Sequence, residues 1–338
     1  MLKSILSILL IVAFTLSSHA QLETVFAARD DAAIYTKQYL NPAMNGLMYN
    51  LNNGWYSTGK THNKLGFDIT ISASAAKIPD NEKMFQFIAS DYNHLNISSG
   101  SSELPTIAGG TTNSMLVVND TNLDPFPAID GAGGEWPDNF IIPVSAPTPM
   151  VQLGFGLPMK TDLKLRFFPN TNRDGVSYNL FGFGVQHNLS QHIKSLDKIP
   201  TLTVSGLAAY TKANIVYTPD ATSVAGSNQS IEMHLNSFTI QAIGDIDLKI
   251  VNFYLGMGFT GGSTNLDALG TYQFDFDNNG SIDPSFEEIV DPIQLDFDVS
   301  GFKTTIGTRI NLGPAKIFAD YSIQAYSSIT AGVAFSLR

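Results

Sequence analysis

Five basic residues sit at positions flanked by apolar or hydroxylated neighbours: Lys164, Arg166, Lys303, Arg309 and Lys316. Asp68, Asp245 and Asp320 occupy the same kind of setting. A guanidinium or ammonium placed this way can hold a carboxylate head group or another acidic solute through charge-assisted hydrogen bonds. The same residues can instead form an internal ion-pair network, with Glu23, Asp30 and Asp31 as acidic partners, because charges away from water are costly to leave unpaired. The network is the preferred reading of the two.

A second constellation is Asp275-Phe276-Asp277-Asn278-Asn279-Gly280-Ser281-Ile282-Asp283. Oxygen-bearing residues alternate at Asp275, Asp277, Asn279, Ser281 and Asp283, Gly280 permits the sharp turn, and Ser281 would supply its backbone carbonyl. This matches the first nine positions of a calcium loop. The twelfth is Phe286, with Glu287 and Glu288 just after it, so the bidentate ligand is out of register. The expectation is a structural Ca²⁺ stiffening an outer loop; the alternative is a solvated acidic turn.

Other chemistry is excluded. The chain has no Cys, which removes disulfides, thiolate metal sites and a cysteine nucleophile. His62, His94, His187, His192 and His234 are scattered; only His187 and His192 are close, and a spacing of five suits neither a strand face nor a helical turn. No G-x-S-x-G elbow occurs, and Gly131–Gly134 lacks the strand–helix context of a nucleotide loop. An enzyme is not expected. A net charge of −11 argues against nucleic acid as a partner.

The elements that must position these groups follow from the hydropathy period. Residues 1–20 read as a secretory signal: Lys3, an apolar run Ile5–Leu16, and Ser18-His19-Ala20 before the cleavage point at Gln21. Residues 21–63 form a separate N-terminal segment. Asp30–Leu40 is helix-compatible with Asp30 or Asp31 at its first turn, Asn41-Pro42 stops that helix, Asn52-Asn53-Gly54 is a turn, and Trp55-Tyr56 presents two large rings.

From residue 64 the dominant period is two. Phe253, Leu255, Met257 and Phe259 alternate with Tyr254, Gly256 and Gly258; Ile317, Ala319, Tyr321 and Ile323 alternate with Lys316, Phe318, Asp320 and Ser322. Ten such runs fall near 64–77, 149–157, 160–168, 175–188, 201–218, 229–245, 250–262, 297–312, 315–325 and 328–338. Connections alternate between long ones, above all 78–148 and 263–296, and short ones such as 158–159, 246–249 and 313–314; Leu189–Pro200 reads as a short helix.

A sheet with one apolar face belongs either to a soluble sandwich or to a closed barrel with lipid outside and a polar lumen inside. Long runs, polar residues at mid-strand, low charge (14%) and the export signal favour the membrane. The expected fold is all-β: a transmembrane antiparallel barrel of 10–14 strands over residues 64–338, extra hairpins in 81–119 or 264–276 raising the count above ten. A short helical N-terminal hatch enters it, with Asn41, Pro42, Trp55 and Tyr56 as hatch residues. Trp55, Tyr56, Tyr178, Tyr210, Tyr217, Tyr254, Tyr321 and Tyr326 are candidates for interfacial girdles or hatch lining.

The order of signal peptide, helical segment with Asn41-Pro42-Ala43-x-x-Gly46-Leu47, then barrel resembles the outer-membrane long-chain fatty-acid transporter superfamily. Gly54-Trp55-Tyr56, His62–Phe67, Ile78-Pro79-Asp80 and Leu157–Pro169 resemble an uncharacterised outer-membrane family of the Bacteroidota. The first resemblance implies a 14-stranded barrel plugged by an N-terminal hatch, with hydrophobic cargo; the long stretch 93–148 departs from it. The expected location is the outer membrane of a Gram-negative bacterium, surrounded by outer-membrane lipid. The expected function is hatch-gated uptake or binding of a small hydrophobic or amphipathic solute, or alternatively a non-transporting anchor or subunit of an envelope protein complex.

Overall fold

The computed structural model describes residues 25–119, 123–131, 147–173, 175–219, 225–276, 279–285 and 287–337. The signal segment 1–20, Glu23 and Asp277 therefore lie outside the described residues. An α-helix, α1 (Asp30–Leu51), precedes strand β1 (Phe67–Ala76). The long connection that follows carries short strands β2 (Met84–Gln86), β3 (Leu95–Ser99), β4 (Glu103–Pro105), β5 (Met115–Val118) and β6 (Phe126–Pro127). Then come β7 (Thr148–Leu157), β8 (Thr161–Arg173), β9 (Val176–Asn188), a short helix α2 (Lys194–Asp197), β10 (Leu202–Tyr217), β11 (Gly226–Asp247), β12 (Val251–Gln273), β13 (Glu288–Val290), β14 (Ile293–Leu312), β15 (Ala315–Ile323) and β16 (Ser328–Leu337).

Ten of these strands close into an antiparallel barrel in chain order, sealed by β1 against β16 from Phe67↔Leu337 to Ala76↔Ser328 and by β11 against β12. Closure leaves the lower wall without an edge, which a hydrocarbon environment requires; above it, among the described residues, 293–303 of β14 and 167–173 of β8 pair on one side only. The hairpins of the 77–147 connection do not enter the wall: β2 pairs with β4, and β3, β5 and β6 make a separate sheet. The count is therefore ten. The start of β1 and the end of β16 both meet the rim that carries the short turns 158–160, 248–250 and 313–314, which is the periplasmic rim of such barrels.

The wall inverts its polarity along its height. In the lower part the outward face is apolar: Ile306 is 56% exposed, and Leu255, Met257, Phe302 and Ile310 share its setting. The inward face there is Thr70, Ser72, Gln152, Gln186, Ser205, Gln241 and Thr305, all buried. Above Phe259 and Phe302 the two faces exchange. Asp296 and Asp298 now point out, while Leu266, Ile293, Leu295 and Phe297, the last 2% exposed, point in. The outward apolar band on β12 runs from Phe253 to Phe259. A membrane strand needs about 9–11 residues, so β11 (22 residues), β12 (23) and β14 (20) rise far above the lipid.

This height corrects the outer loop expected at 263–296. Most of it is strand, and the connection between β12 and β14 is 274–292, with β13 laid on β12. The rim aromatics are mainly Phe. Phe167, Phe181, Phe183, Phe238, Phe259 and Phe302 encircle the upper boundary with Tyr210, and Phe67, Phe155, Phe253 and Phe335 lie towards the lower one. Of the expected girdle candidates, Tyr321 faces lipid, whereas Trp55, Tyr56, Tyr254 and Tyr326 are buried inside.

The helix corrects a second expectation. Pro42 lies within α1, and residues 30–51 form one helix that crosses Asn41-Pro42. Proline lacks an N–H and crowds the preceding turn. The carbonyl it leaves without a helical donor is that of Gln38, and beside it the outer connection approaches the helix, the Ile107 N–H donating to the Tyr39 carbonyl at 2.9 Å. The helix α1 packs through Ala32, Tyr35, Tyr39 and, near its inner end, Met48 in one apolar cluster with inward residues of the tall strands and with Phe87, Leu95, Leu104 and Leu116 of the outer cap. Asp31 anchors that cap: its carboxylate accepts the backbone N–H groups of Asn93, His94 and Leu95 at 3.0, 2.6 and 2.8 Å.

The inversion yields a paired test on one face of one strand. Ile306→Arg should destabilise the protein by about 2–4 kcal/mol in equilibrium unfolding from lipid vesicles, the cost of a lipid-facing cation near mid-bilayer. Asp298→Arg, eight residues higher on the outward face of β14, should change stability by less than about 0.5 kcal/mol. Equal effects would contradict the assignment of the lipid boundary.

Candidate functional site

The helix α1 descends into the barrel and ends there. A helix terminus leaves four carbonyls without helical partners and concentrates about half a negative charge. Arg166, on the inward face of β8, and Lys303, on the inward face of β14, meet this end. Arg166 Nη1 donates to Leu51 O at 2.9 Å and Nη2 to Asn53 O at 2.5 Å; Lys303 Nζ donates to Asn52 O at 3.1 Å. Arg166 Nε donates to Gln152 Oε1 at 3.2 Å, so all its edges are used. Both cations are buried, Arg166 at 0% exposure.

Asn52 and Asn53 complete the clamp. Asn52 Nδ2 donates to Gly261 O at 3.0 Å, and Asn53 Nδ2 donates to Ser74 Oγ at 2.9 Å and Ser328 Oγ at 2.8 Å. The dipeptide reads in sequence as turn chemistry alone. The signal for its second role is the small hydroxylated residues Ser72, Ser74, Ser328 and Thr330 on inward positions of β1 and β16, which give an amide side chain room to reach the wall.

The segment below the clamp fills the lumen. The Trp55 ring stacks under the Arg166 guanidinium at 3.8 Å and lies against β9, where a Cβ on Gly184 would come within 3.1 Å of it. Lys164 Nζ donates to Trp55 O at 2.8 Å. Tyr56 Oη donates to Gln241 Oε1 at 2.8 Å over Gly256, where a Cβ would overlap the hydroxyl. Thr58 Oγ1 and the Gly59 N–H both donate to Asp245 Oδ2, at 2.8 and 3.1 Å. The plug is thus fastened by side-chain hydrogen bonds to at least six strands.

These contacts revise the expected ion-pair network. Asp30 and Asp31 stand at the outer end of α1, and Asp31 is committed to the cap, so neither can reach Arg166 or Lys303. The partners are the carbonyls at the other end of the helix. The direction of α1 inside the barrel decides this.

Beneath the plug a polar cavity of about 310 Å³ opens at the periplasmic rim. It brings together Lys164, Arg309, Lys316 and Asp68 from the expected set, and adds His62 and Asp162. Arg166 and Lys303 belong to the clamp above. Asp320 lies outside this cavity, in the field of Lys303, and accepts a hydrogen bond from Tyr254 Oη at 3.0 Å. Asp162 is saturated by the plug, accepting from His62 N at 2.9 Å and facing His62 Nδ1 at 3.0 Å.

In the acidic outer loop residues 277 and 278 lie outside the described ones. Asp275 accepts the N–H groups of Asn279 and Gly280, Asn279 accepts that of Ser281, and Asp283 accepts the N–H and hydroxyl of Ser285, which hold its carboxyl below the usual range. Among the described residues no three His, Asp or Glu converge as a metal site. His187 and His192, unpromising by spacing, do meet: the turn at 189–201 brings their Nε2 atoms to 3.0 Å at the lower rim.

Removing the clamp cation tests its role. Arg166→Met should cost about 3–5 kcal/mol, since it strands buried polar groups. It should also admit a water-soluble maleimide to Cys introduced at Ser72, which faces Gly54 of the plug; the chain has no other Cys. A Ser72→Cys site labelled equally with Arg166 intact would overturn the clamp.

No curated protein matches the sequence. Among solved structures, Ail, the attachment invasion locus protein of Yersinia pestis, aligns over 81% of this chain and 100% of its own, at 7% identity and TM-score 0.28. The translocator domain of the autotransporter NalP from Neisseria meningitidis aligns over 82% and 90%, at 9% identity and TM-score 0.29. A Pseudomonas aeruginosa FadL homologue aligns over 81% and 89%, at 9% identity and TM-score 0.18. The sequence itself assigns the family: residues 1–337 match the profile of DUF6588, a family of unknown function, and the chain belongs to it.

Proposed function

We propose that this chain is exported to the outer membrane of a Gram-negative cell, where it forms a barrel closed by its own N-terminal plug and acts as a non-conducting platform for an envelope protein complex. The observation that supports this reading most is the filled lumen. From the clamp downwards the plug is bonded to the inward polar residues, and from the clamp upwards α1 is packed in a continuous apolar core with the wall and cap. The cap is an ordered surface tied to the helix, since Tyr92 Oη donates to Gln38 Oε1 at 2.8 Å and Tyr39 Oη to Asp130 O at 2.9 Å. Burial pushes the pKa of the Tyr35 hydroxyl up to about 12, and its oxygen accepts the Ile129 N–H of the cap at 3.2 Å.

A second reading, gated uptake of a hydrophobic or amphipathic solute, draws on one specific feature. Residues 54–63 are held to the wall through side-chain hydrogen bonds and pair with no strand, so they can part from it while the clamp at 51–53 stays closed. The cavity they cover is polar, which suits an ionic solute better than an apolar one.

Planar-bilayer recording separates the two. The detergent-purified protein should insert without opening a steady conductance, and mass spectrometry of the same sample should find no stoichiometric apolar small molecule. A stable pore or such a ligand would favour uptake and contradict the platform.

A further inference from the structure

We infer that the vestibule beneath the plug is a binding site for a small oxyanion, a carboxylate or phosphate compound entering from the periplasmic side. This holds whether or not the barrel conducts. Four cations line the cavity: Lys60, Lys164, Arg309 and Lys316. Lys60 is paired with Asp247 and Lys164 donates to Trp55 O, leaving Arg309 and Lys316. Two carboxylates, Asp68 and Asp162, share the lining, so the cations there outnumber the acids, and the neighbouring acids accept from other donors. Asp245 accepts from Thr58, Gly59 and Asn252; Asp247 accepts from Lys60 and the Lys249 N–H; Asp162 is held by His62 on both oxygens.

Asp68 is the one remaining carboxylate, and it lies over Gly154 with His62 Nε2 at 3.6 Å. Among the described residues neither Arg309 nor Lys316 makes a salt bridge, and Arg309 Nε is buried without a hydrogen-bond partner. An unused guanidinium edge is costly in such a place, and its fork geometry fits two oxygens of one planar or tetrahedral anion. Lys316 is one strand away on the inward face of β15, pairing through Asn311, so it can close on the same anion from the rim. The cavity, about 310 Å³, is at the small end of ligand pockets, which suits a short polar anion and excludes an acyl chain.

Isothermal titration of the detergent-solubilised full chain with inorganic phosphate, and separately with succinate, tests the site. At least one anion should give saturable heat, and which one does distinguishes phosphate from carboxylate recognition. Arg309→Gln and Lys316→Gln should each weaken binding about tenfold. Lys198→Gln, on the exposed turn at the same rim, should leave it unchanged. Lys316 is half-buried at the mouth, so its variant keeps the test open if Arg309→Gln fails to fold. Absence of heat with both anions, or binding unaltered in Lys316→Gln, would overturn the proposal. Neither result bears on conductance, so the platform reading stands or falls separately.

Discussion

A helix that ends inside a membrane barrel exposes carbonyl oxygens where bulk water cannot satisfy them. Each unmet group would cost on the order of 1–3 kcal/mol, and the helix dipole adds a negative field at the same spot. Arg166 and Lys303 answer both demands with donors that carry charge. In a hydrocarbon-enclosed lumen such cations need an opposite partner, and three peptide carbonyls at a helix terminus serve as one. The plug and the wall therefore depend on each other: neither the buried cations nor the helix end is tolerable alone.

The clamp sits at the level where the wall exchanges its faces. Arg166 adjoins Phe167 and Lys303 adjoins Phe302, both members of the upper aromatic ring. Below this plane the lumen is polar and the exterior apolar; above it the interior is apolar and the exterior polar. The protein thus joins a membrane barrel to a water-facing β-structure in one continuous sheet, with α1 as the shared core. The helix changes solvent with the wall, which is why its apolar half ends and its amide-rich tail, Asn50 to Asn53, begins near the same height.

Much of this was legible in residues. Phe253 to Phe259 and Ile317 to Ile323 announce lipid-facing strands, and Lys164, Arg166, Lys303, Arg309 and Lys316 fall on the opposite face as their spacing requires. The height of the barrel was hidden because the apolar positions change parity: Phe253, Leu255 and Phe259 are odd, whereas Leu266 and Ala268 are even, so a single alternating pattern breaks at Gly261-Gly262 and imitates a loop. Pro42 reads as a helix stop because what carries the helix past it, packing of α1 against the tall strands and the outer cap, is supplied by distant parts of the chain. The ionic partners were misread for a similar reason. Which end of α1 points into the barrel is a tertiary property, and it decides whether Asp30 and Asp31 or the carbonyls of Leu51 to Asn53 meet the buried cations.

The most direct test of this architecture is a spin-label scan along β14, one cysteine at a time from 294 to 310, in lipid vesicles. Collision rates with oxygen and with a water-soluble nickel chelate would report the solvent of each position. The account predicts oxygen-rich, nickel-poor labels at 302, 304, 306, 308 and 310, nickel-accessible labels at 294, 296, 298 and 300, and shielding from both at 295, 297 and 303. Shielding of the 302–310 even positions from oxygen would mean that the wall's lower apolar face is buried in protein, and the membrane barrel would be excluded.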